Sequence, residues 1–255
     1  MCRLKKSISL AAAAAVVVIG FGASGVFAQY APNDLWPDFW QLQQPGQFSV
    51  LGFAGGYVSD KYGTIQEGFQ LEQSVTRYVG VFGRLTGYQL WEGEGFDNPL
   101  APGTGHQARL NFGRAQGGVD FNPFTGTHFF ISGGKDFGDS HADIIEGDFS
   151  SWLLLHSRHP VNVSFSSMHN FQNSITSTAI DLQAVVLSRE SYMVIAGAGG
   201  AWYTGGFLSG DQGQGGPDLG FYYRPWQLGL SAQAGYGSAH QYGQITMYKS
   251  LNFTE

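Results

Sequence analysis

The chain has 255 residues, of which 38 are glycine, 15% are aromatic and only 13% are charged. A typical soluble domain has roughly 25% charged residues and about 7% glycine, so the composition disfavours an ordinary enzyme domain with a charged surface. The formal net charge is −6 and there is no basic block, so no electrostatic surface for nucleic acid is expected.

Residues 1–28 have the pattern of a secretory signal peptide. A positive start around Arg3 precedes a strongly apolar run over 10–19, and the small residue Ala28 offers a cleavage point before Gln29. An uncleaved anchor is the alternative, although the run is shorter than the ~20 residues that a spanning helix needs. Without this segment the chain has no cysteine, which is typical of an exported bacterial envelope protein.

Residues 29–46 differ from the rest of the chain because tryptophan and phenylalanine cluster there between prolines. We expect either a periplasmic or lumen-docking segment or a disordered leader. After Ala28 no second apolar segment is long enough for a helical span. A closed β-barrel is the other way to insert a chain into a membrane, and its alternating strands agree with the mean hydropathy of −0.11.

From Gln47 onward apolar residues recur with period two, as in a β-strand with one apolar face. Residues 226–236 show the pattern most clearly, with Trp226, Leu230 and Tyr236 on one parity and polar or small residues on the other. The alternating runs match the 9–11 residues of a tilted membrane strand. Turn signals between the runs predict twelve strands, over 47–58, 62–75, 79–91, 106–120, 126–137, 142–155, 161–171, 174–188, 191–205, 217–224, 226–237 and 241–253.

The predicted connections alternate between tight turns and longer links rich in glycine or acidic residues. Tight turns at one rim and longer loops at the other are typical of outer-membrane barrels. With this rhythm, a signal peptide and a last strand that carries Phe253 near its end, the chain resembles the bacterial outer-membrane β-barrel, or porin-like, superfamily. The resemblance covers residues 47–255 and implies an antiparallel up-and-down barrel with both termini in the periplasm. It also implies that the barrel-assembly machinery reads Phe253.

In such a barrel the apolar parity contacts outer-membrane lipid and the polar parity faces the lumen, because an arginine or lysine in lipid costs roughly 2–4 kcal/mol at mid-depth. In the fourth strand this rule predicts Arg109 and Asn111 inside, opposite Leu110 and Phe112. Two hypotheses follow for the lumen: a charged constriction that selects solutes, or paired side chains that only fill a narrow barrel. The candidate lumen residues are Glu72, Arg84, Arg109, Glu146, Asp148 and Asp181.

Large aromatic residues lie near several predicted strand ends, as in the girdles at the two membrane interfaces. Glycines inside strands, such as Gly197 and Gly199, mark bends, bulges or close backbone approach. The girdle candidates are Tyr57, Trp91, Phe121, Trp202, Trp226 and Tyr236.

Motifs for catalysis are weak. His169 and Ser174 are close in sequence, but His169 shares the apolar parity and Ser174 lies across a turn, so we expect no enzyme. We expect no cofactor and no metal. The leading hypothesis is a porin-like outer-membrane barrel for passive passage of small polar solutes, or with a structural envelope role. The alternatives are a secreted or surface β-sandwich binding module and an outer-membrane barrel hydrolase.

Overall fold

The structure is a computed structural model. The predicted signal peptide, Arg109 and all but the last two residues of 29–46 lie outside the described residues. The structure describes residues 45–59, 62–92, 110–172, 174–205, 212–237 and 240–253.

Twelve strands form one closed antiparallel barrel, as the sequence predicts. Each strand pairs with the next one in the chain, and the last closes on the first, with Phe48 opposite Phe253. Closure gives every strand a hydrogen-bonded neighbour on both sides, which a membrane-embedded sheet requires. The strands are β1 (Phe48–Ser59), β2 (Tyr62–Ser74), β3 (Val79–Glu92), β4 (Leu110–Phe124), β5 (Thr127–Gly138), β6 (Asp143–Leu153), β7 (Val161–Asn170), β8 (Ile175–Ser188), β9 (Tyr192–Gly205), β10 (Gln212–Tyr223), β11 (Leu228–Gly237) and β12 (His240–Phe253).

Three predicted strand limits were wrong: β4 continues to Phe124, past its predicted end at 120, and the other two lie around β10. Residues 212–216, predicted as a loop, already belong to β10, because Gly213 and Gly215 pair with Trp202 and Gly200 of β9. Trp226, predicted to begin the next strand, lies instead in a single 3₁₀ turn over Arg224–Trp226. The proline in that turn fixes a bent backbone and cannot donate a ladder hydrogen bond.

In most strands the side chains alternate between a buried inner face and an exposed outer face. In β6, for example, Glu146, Asp148 and Trp152 are buried while Ile145 and Phe149 are exposed. Exposed apolar side chains on the outside of a closed barrel form the surface that a bilayer covers. Among the described residues, no helix has the length and apolar character of a membrane-spanning helix.

The inner face is not uniformly polar. Near the rim where β1 begins and β12 ends, here called the turn end, buried apolar residues of six strands pack together. Near the opposite rim, the loop end, Leu90, Leu110 and Phe112 form a second buried group. The predicted orientation of the β4 start was therefore wrong: Leu110 and Phe112 point inward, and Asn111 is exposed. The turn-end cluster contains Leu51, Phe53, Trp152, Val185, Met193, Ile195, Tyr222 and Tyr248.

Candidate functional site

Arg84 on β3 lies at the centre of a buried polar network. Its Nε donates a hydrogen bond to Oε1 of Gln70 at 3.0 Å, and its Nη1 lies 3.3 Å from Oε2 of Glu146. Gln116 on β4 also donates to that carboxylate. Because β3 and β6 are three strands apart in the ring, the Arg84–Glu146 ion pair bridges part of the interior instead of following the wall. The guanidinium also lies 5.2 Å from the ring centre of Phe130.

Arg114 on β4 forms a second buried ion pair nearer the loop end. It binds Asp136 on β5 through two parallel hydrogen bonds, of 2.7 Å from Nε and 3.1 Å from Nη2. Ser140 donates a third bond to the same carboxylate at 2.9 Å. The guanidinium also lies over the ring of Tyr88, which stacks on Phe112. The guanidinium of Arg114 is therefore held in place by hydrogen bonds and ring contacts with its neighbours.

His128 on β5 belongs to a third buried group of polar residues, nearer the turn end. Its Nδ1 lies 2.7 Å from Oδ1 of Asp120, and its Nε2 lies 3.9 Å from Oδ1 of Asp148. Asn122 donates a hydrogen bond to the second oxygen of Asp120 at 2.8 Å. The imidazole thus joins acids from β4 and β6, on the same side of the barrel as the two arginines.

The other side of the interior is acidic. Asp181 on β8 and Asp218 on β10 flank β9, whose inward positions between them are Gly197 and Gly199. Gln183 donates a hydrogen bond to Oδ2 of Asp218 at 3.2 Å. We call these five residues the acidic recess.

Tyrosine and glutamine side chains lie next to the acidic recess, on its loop-end side. The rings of Tyr57 and Tyr242 stack with their centres 5.6 Å apart. The Tyr57 hydroxyl donates a hydrogen bond to Oε1 of Gln214 at 2.9 Å, and Gln244 donates to Gln233 at 2.7 Å. These side chains continue the polar inner surface beside the acidic recess from β10 to β1.

The structure places five of the six predicted lumen residues on the inner face, and Arg109 lies outside the described residues. Glu72, Arg84, Glu146, Asp148 and Asp181 are all buried. Their role in selecting solutes stays a prediction. Five other inward charged residues were not predicted from the sequence, although each shares the parity of an inward neighbour on its strand. The missed residues are Arg114, Asp120, His128, Asp136 and Asp218.

The predicted aromatic girdle is only partly lipid-facing. Tyr57 was assigned wrongly: it is 3% exposed and lies inside the barrel, because its phenol reaches Gln214 across the interior. Trp91 shares the outer parity of β3, and its indole covers Gly63, where a Cβ atom would overlap it. The remaining candidates have exposed side chains: Phe121, Trp202, Trp226 and Tyr236. For Phe253 the structure describes only the backbone pairing with Phe48.

The weak catalytic candidate has a structural explanation. A ring nitrogen of His169 lies 2.9 Å from Oγ1 of Thr176, its partner on β8, and the ring packs against Phe171. Ser174 lies in the turn, exposed, with a φ of 55°. Within the described ranges, no group of three histidine, cysteine or acidic residues is arranged to hold a metal ion.

Comparison with known proteins places the fold. No protein-family model and no curated protein sequence matches the chain. An outer-membrane channel from Pseudomonas putida F1 superposes with a TM-score of 0.55 over 89% of this chain and 100% of that chain, at 7% identity. The β-domain of the Bordetella autotransporter BrkA gives a TM-score of 0.51 over 82% of this chain and 100% of that chain, at 10% identity.

At these identities the shared property is the closed barrel itself. The chain therefore has the fold of bacterial outer-membrane β-barrel proteins.

Proposed function

We propose that the protein is a porin-like outer-membrane barrel that lets small polar solutes pass through a narrow, charged interior. The observation that carries the proposal is the different pairing of charge on the two sides: the arginines of one side are bound to carboxylates, whereas two acids of the other side have no ion-pair partner among the described residues. Arg84 and Arg114 lie on β3 and β4, whereas Asp181 and Asp218 lie on β8 and β10. In a closed ring of twelve strands β4 and β10 are six strands apart, so these groups face each other across the interior.

Such an arrangement supports selection by charge and size. Rings of charged side chains govern which ions enter a pore, and a low-dielectric wall strengthens their effect. Arg84 and Arg114 are each held in place by a carboxylate of the same half of the interior.

A second candidate, a purely structural barrel, is favoured by the burial of the inward side chains. Tyr248 and Asn162 are 0% exposed and Asp148 is 1% exposed. A wide, water-filled channel, as in barrels of 16 or more strands, would leave such residues accessible. Any passage through this interior is therefore narrow.

Two measurements on the mature protein separate these functions. A folded barrel migrates differently on a gel before and after boiling in detergent, and a channel gives conductance steps in a planar bilayer. We expect both, and we expect Arg84→Gln to change the ratio of cation to anion current. Lys135→Gln is the matched control, because this side chain is 67% exposed and lies outside the network. Shifted migration without conductance would refute passage and leave the structural barrel.

The proposal includes export and assembly but no catalytic step. Cleavage near Ala28 gives a mature chain that begins at Gln29, and its mass is lower than that of the full chain by the mass of the signal peptide. Outer-membrane lipid then surrounds the exposed apolar face, and the assembly machinery recognises the strand that carries Phe253. Mass spectrometry of the purified protein checks the first point. A Phe253→Ala variant that reaches the outer membrane at the normal level would contradict the last.

A further inference from the structure

We propose that the acidic recess binds a small organic cation that donates N–H hydrogen bonds, such as an alkylammonium group. The inference deepens the proposed function by naming a class of solute, and it rests on that function only where it concerns passage. Three observations lead to it: unbalanced charge, unpartnered oxygen atoms, and glycines that let the polar side chains of β8 lie over β9.

The first observation is that the charge of the recess is unbalanced. Asp181 is 4% exposed and Asp218 is half-buried. In the part of the chain that the structure describes, no cationic side chain forms an ion pair with either acid. The two interior arginines pair with Glu146 and Asp136 on the opposite side. A carboxylate taken out of water without a partner is costly, so a cation in the recess stabilises this arrangement.

The second observation is a set of buried oxygen atoms that can accept hydrogen bonds. Oδ1 of Asp218 and Oε1 of Gln183 have no hydrogen-bond partner among the described residues. Gln183 is 5% exposed and points into the interior. Buried polar atoms are nearly always satisfied in folded proteins. These two oxygen atoms therefore lack a donor, and an ammonium group provides three.

The third observation is the absence of side chains on β9 between the two acids. A Cβ atom at Gly199 would overlap the Asp181 carboxylate, so only glycine lets this side chain lean across β9. At the next inward position a Cβ atom at Gly197 would overlap Gln183, whose side chain crosses β9 to reach Asp218. These two glycines therefore let the Asp181 carboxylate and the Gln183 amide lie over β9, on the side of Asp218.

The geometry favours an organic cation over a metal ion. A metal needs several oxygens converging at about 2.0–2.6 Å, and no described group of acids and histidines has that arrangement. An ammonium group reaches spread-out acceptors through longer bonds of about 2.7–2.9 Å. Asp181 and Gln183 lie on β8 and Asp218 lies on β10, on the two sides of β9, which suits such a donor.

Methylammonium and tetramethylammonium chloride are the probes that test this site, because both carry one positive charge and only the first donates N–H bonds. In planar bilayers with wild-type protein we expect methylammonium to be favoured beyond the difference in free mobility of the two ions. Asp181→Asn and Asp218→Asn should abolish this extra preference. Asp143→Asn should keep it, since that carboxylate is 66% exposed at the rim and pairs with Lys135.

Binding is measured separately by titrating methylammonium into the folded protein in detergent micelles. Losing one charge-assisted hydrogen bond should weaken binding about tenfold in Asp181→Asn and in Asp218→Asn. Binding without conductance would refute passage and support the recess as a site. Conductance with no methylammonium binding, or with equal binding in wild type and both asparagine variants, would overturn the inference and leave the channel function intact.

Discussion

Replacing Asp136 with asparagine tests whether the Arg114–Asp136 ion pair stabilises the loop-end half of the interior. The two hydrogen bonds are 2.7 and 3.1 Å long, and the side chains are only 7% and 1% exposed. Removing one partner of a buried pair costs about 3–5 kcal/mol, because the remaining charge is left uncompensated. Arg114 keeps its contacts with the Tyr88 and Phe112 rings, at 5.2 and 5.9 Å. We therefore expect the lower part of that range, about 3 kcal/mol.

The assay is urea unfolding of the barrel in detergent micelles, followed by tryptophan fluorescence, which gives the free energy of unfolding for each variant. Asp143→Asn is the matched control, since its pair with Lys135 is 3.4 Å long and its side chain is 66% exposed. An exposed pair of this kind contributes less than about 1 kcal/mol. Equal destabilisation by the two variants would refute the reasoning. Adding Arg114→Met to Asp136→Asn should restore part of the loss, because it removes the buried charge.

Three further substitutions test the assignment of inner and outer faces. Tyr57→Phe should lower the free energy of unfolding by about 1 kcal/mol, because it removes an interior hydrogen bond, and no change in urea unfolding would place this phenol outside. Gly63→Ala should cost roughly 1–3 kcal/mol in the same assay through overlap with the Trp91 indole, and Trp91→Ala should relieve that cost. Phe165→Arg, on the outer face in the middle of β7, should cost about 2–4 kcal/mol when refolded into lipid vesicles. The same change at Phe171, next to the loop end, should cost about 1 kcal/mol or less, and equal costs would contradict a bilayer around this face.

Strand number and order could be predicted because period-two alternation and turn signals are local properties. The run over Val161–Asn170 shows this: Asn162, Ser164 and Ser166 are buried, and Phe165 between them is exposed. Side chains of one parity contact lipid and are apolar, and those of the other parity face the interior and are polar. The sequence therefore shows the alternation residue by residue. The start of β10 escaped prediction because Gly213 and Gly215 have no side chain to show a parity.

The predicted orientation of side chains was wrong where apolar or aromatic residues face inward. The prediction placed apolar residues towards lipid, but apolar residues also line both ends of the interior, as Leu110 and Phe112 do at the loop end. The predicted orientation of Tyr57 was wrong for a related reason. Its ring is apolar enough for an aromatic girdle, but its hydroxyl forms a hydrogen bond inside the barrel. This barrel has apolar side chains on both faces of its wall, so hydrophobicity alone does not distinguish the inner face from the outer face.

Contacts across the interior could not be predicted, because they depend on the closure and register of the whole barrel. Arg84 and Glu146 are 62 positions apart in the chain, and Tyr57 and Gln214 are 157 apart. Parity shows only that each of these residues faces inward. Which strand lies opposite, and at what height, follows from twelve successive pairings.

The contrast between the two sides of the interior comes from side-chain size as much as from charge. Long residues on β3 and β4, such as Arg84 and Arg114, reach their partners and neutralise them. On β9 the inward positions beside the acids are glycines, so Asp181 and Asp218 have no neighbouring long cation to pair with. A solute in this interior therefore meets cations that are already bound on one side and acceptors that are still open on the other. This asymmetry predicts that cations pass or bind more readily than anions, and exchanging both acids for asparagine should remove the preference while the ion pairs of β3 and β4 stay intact.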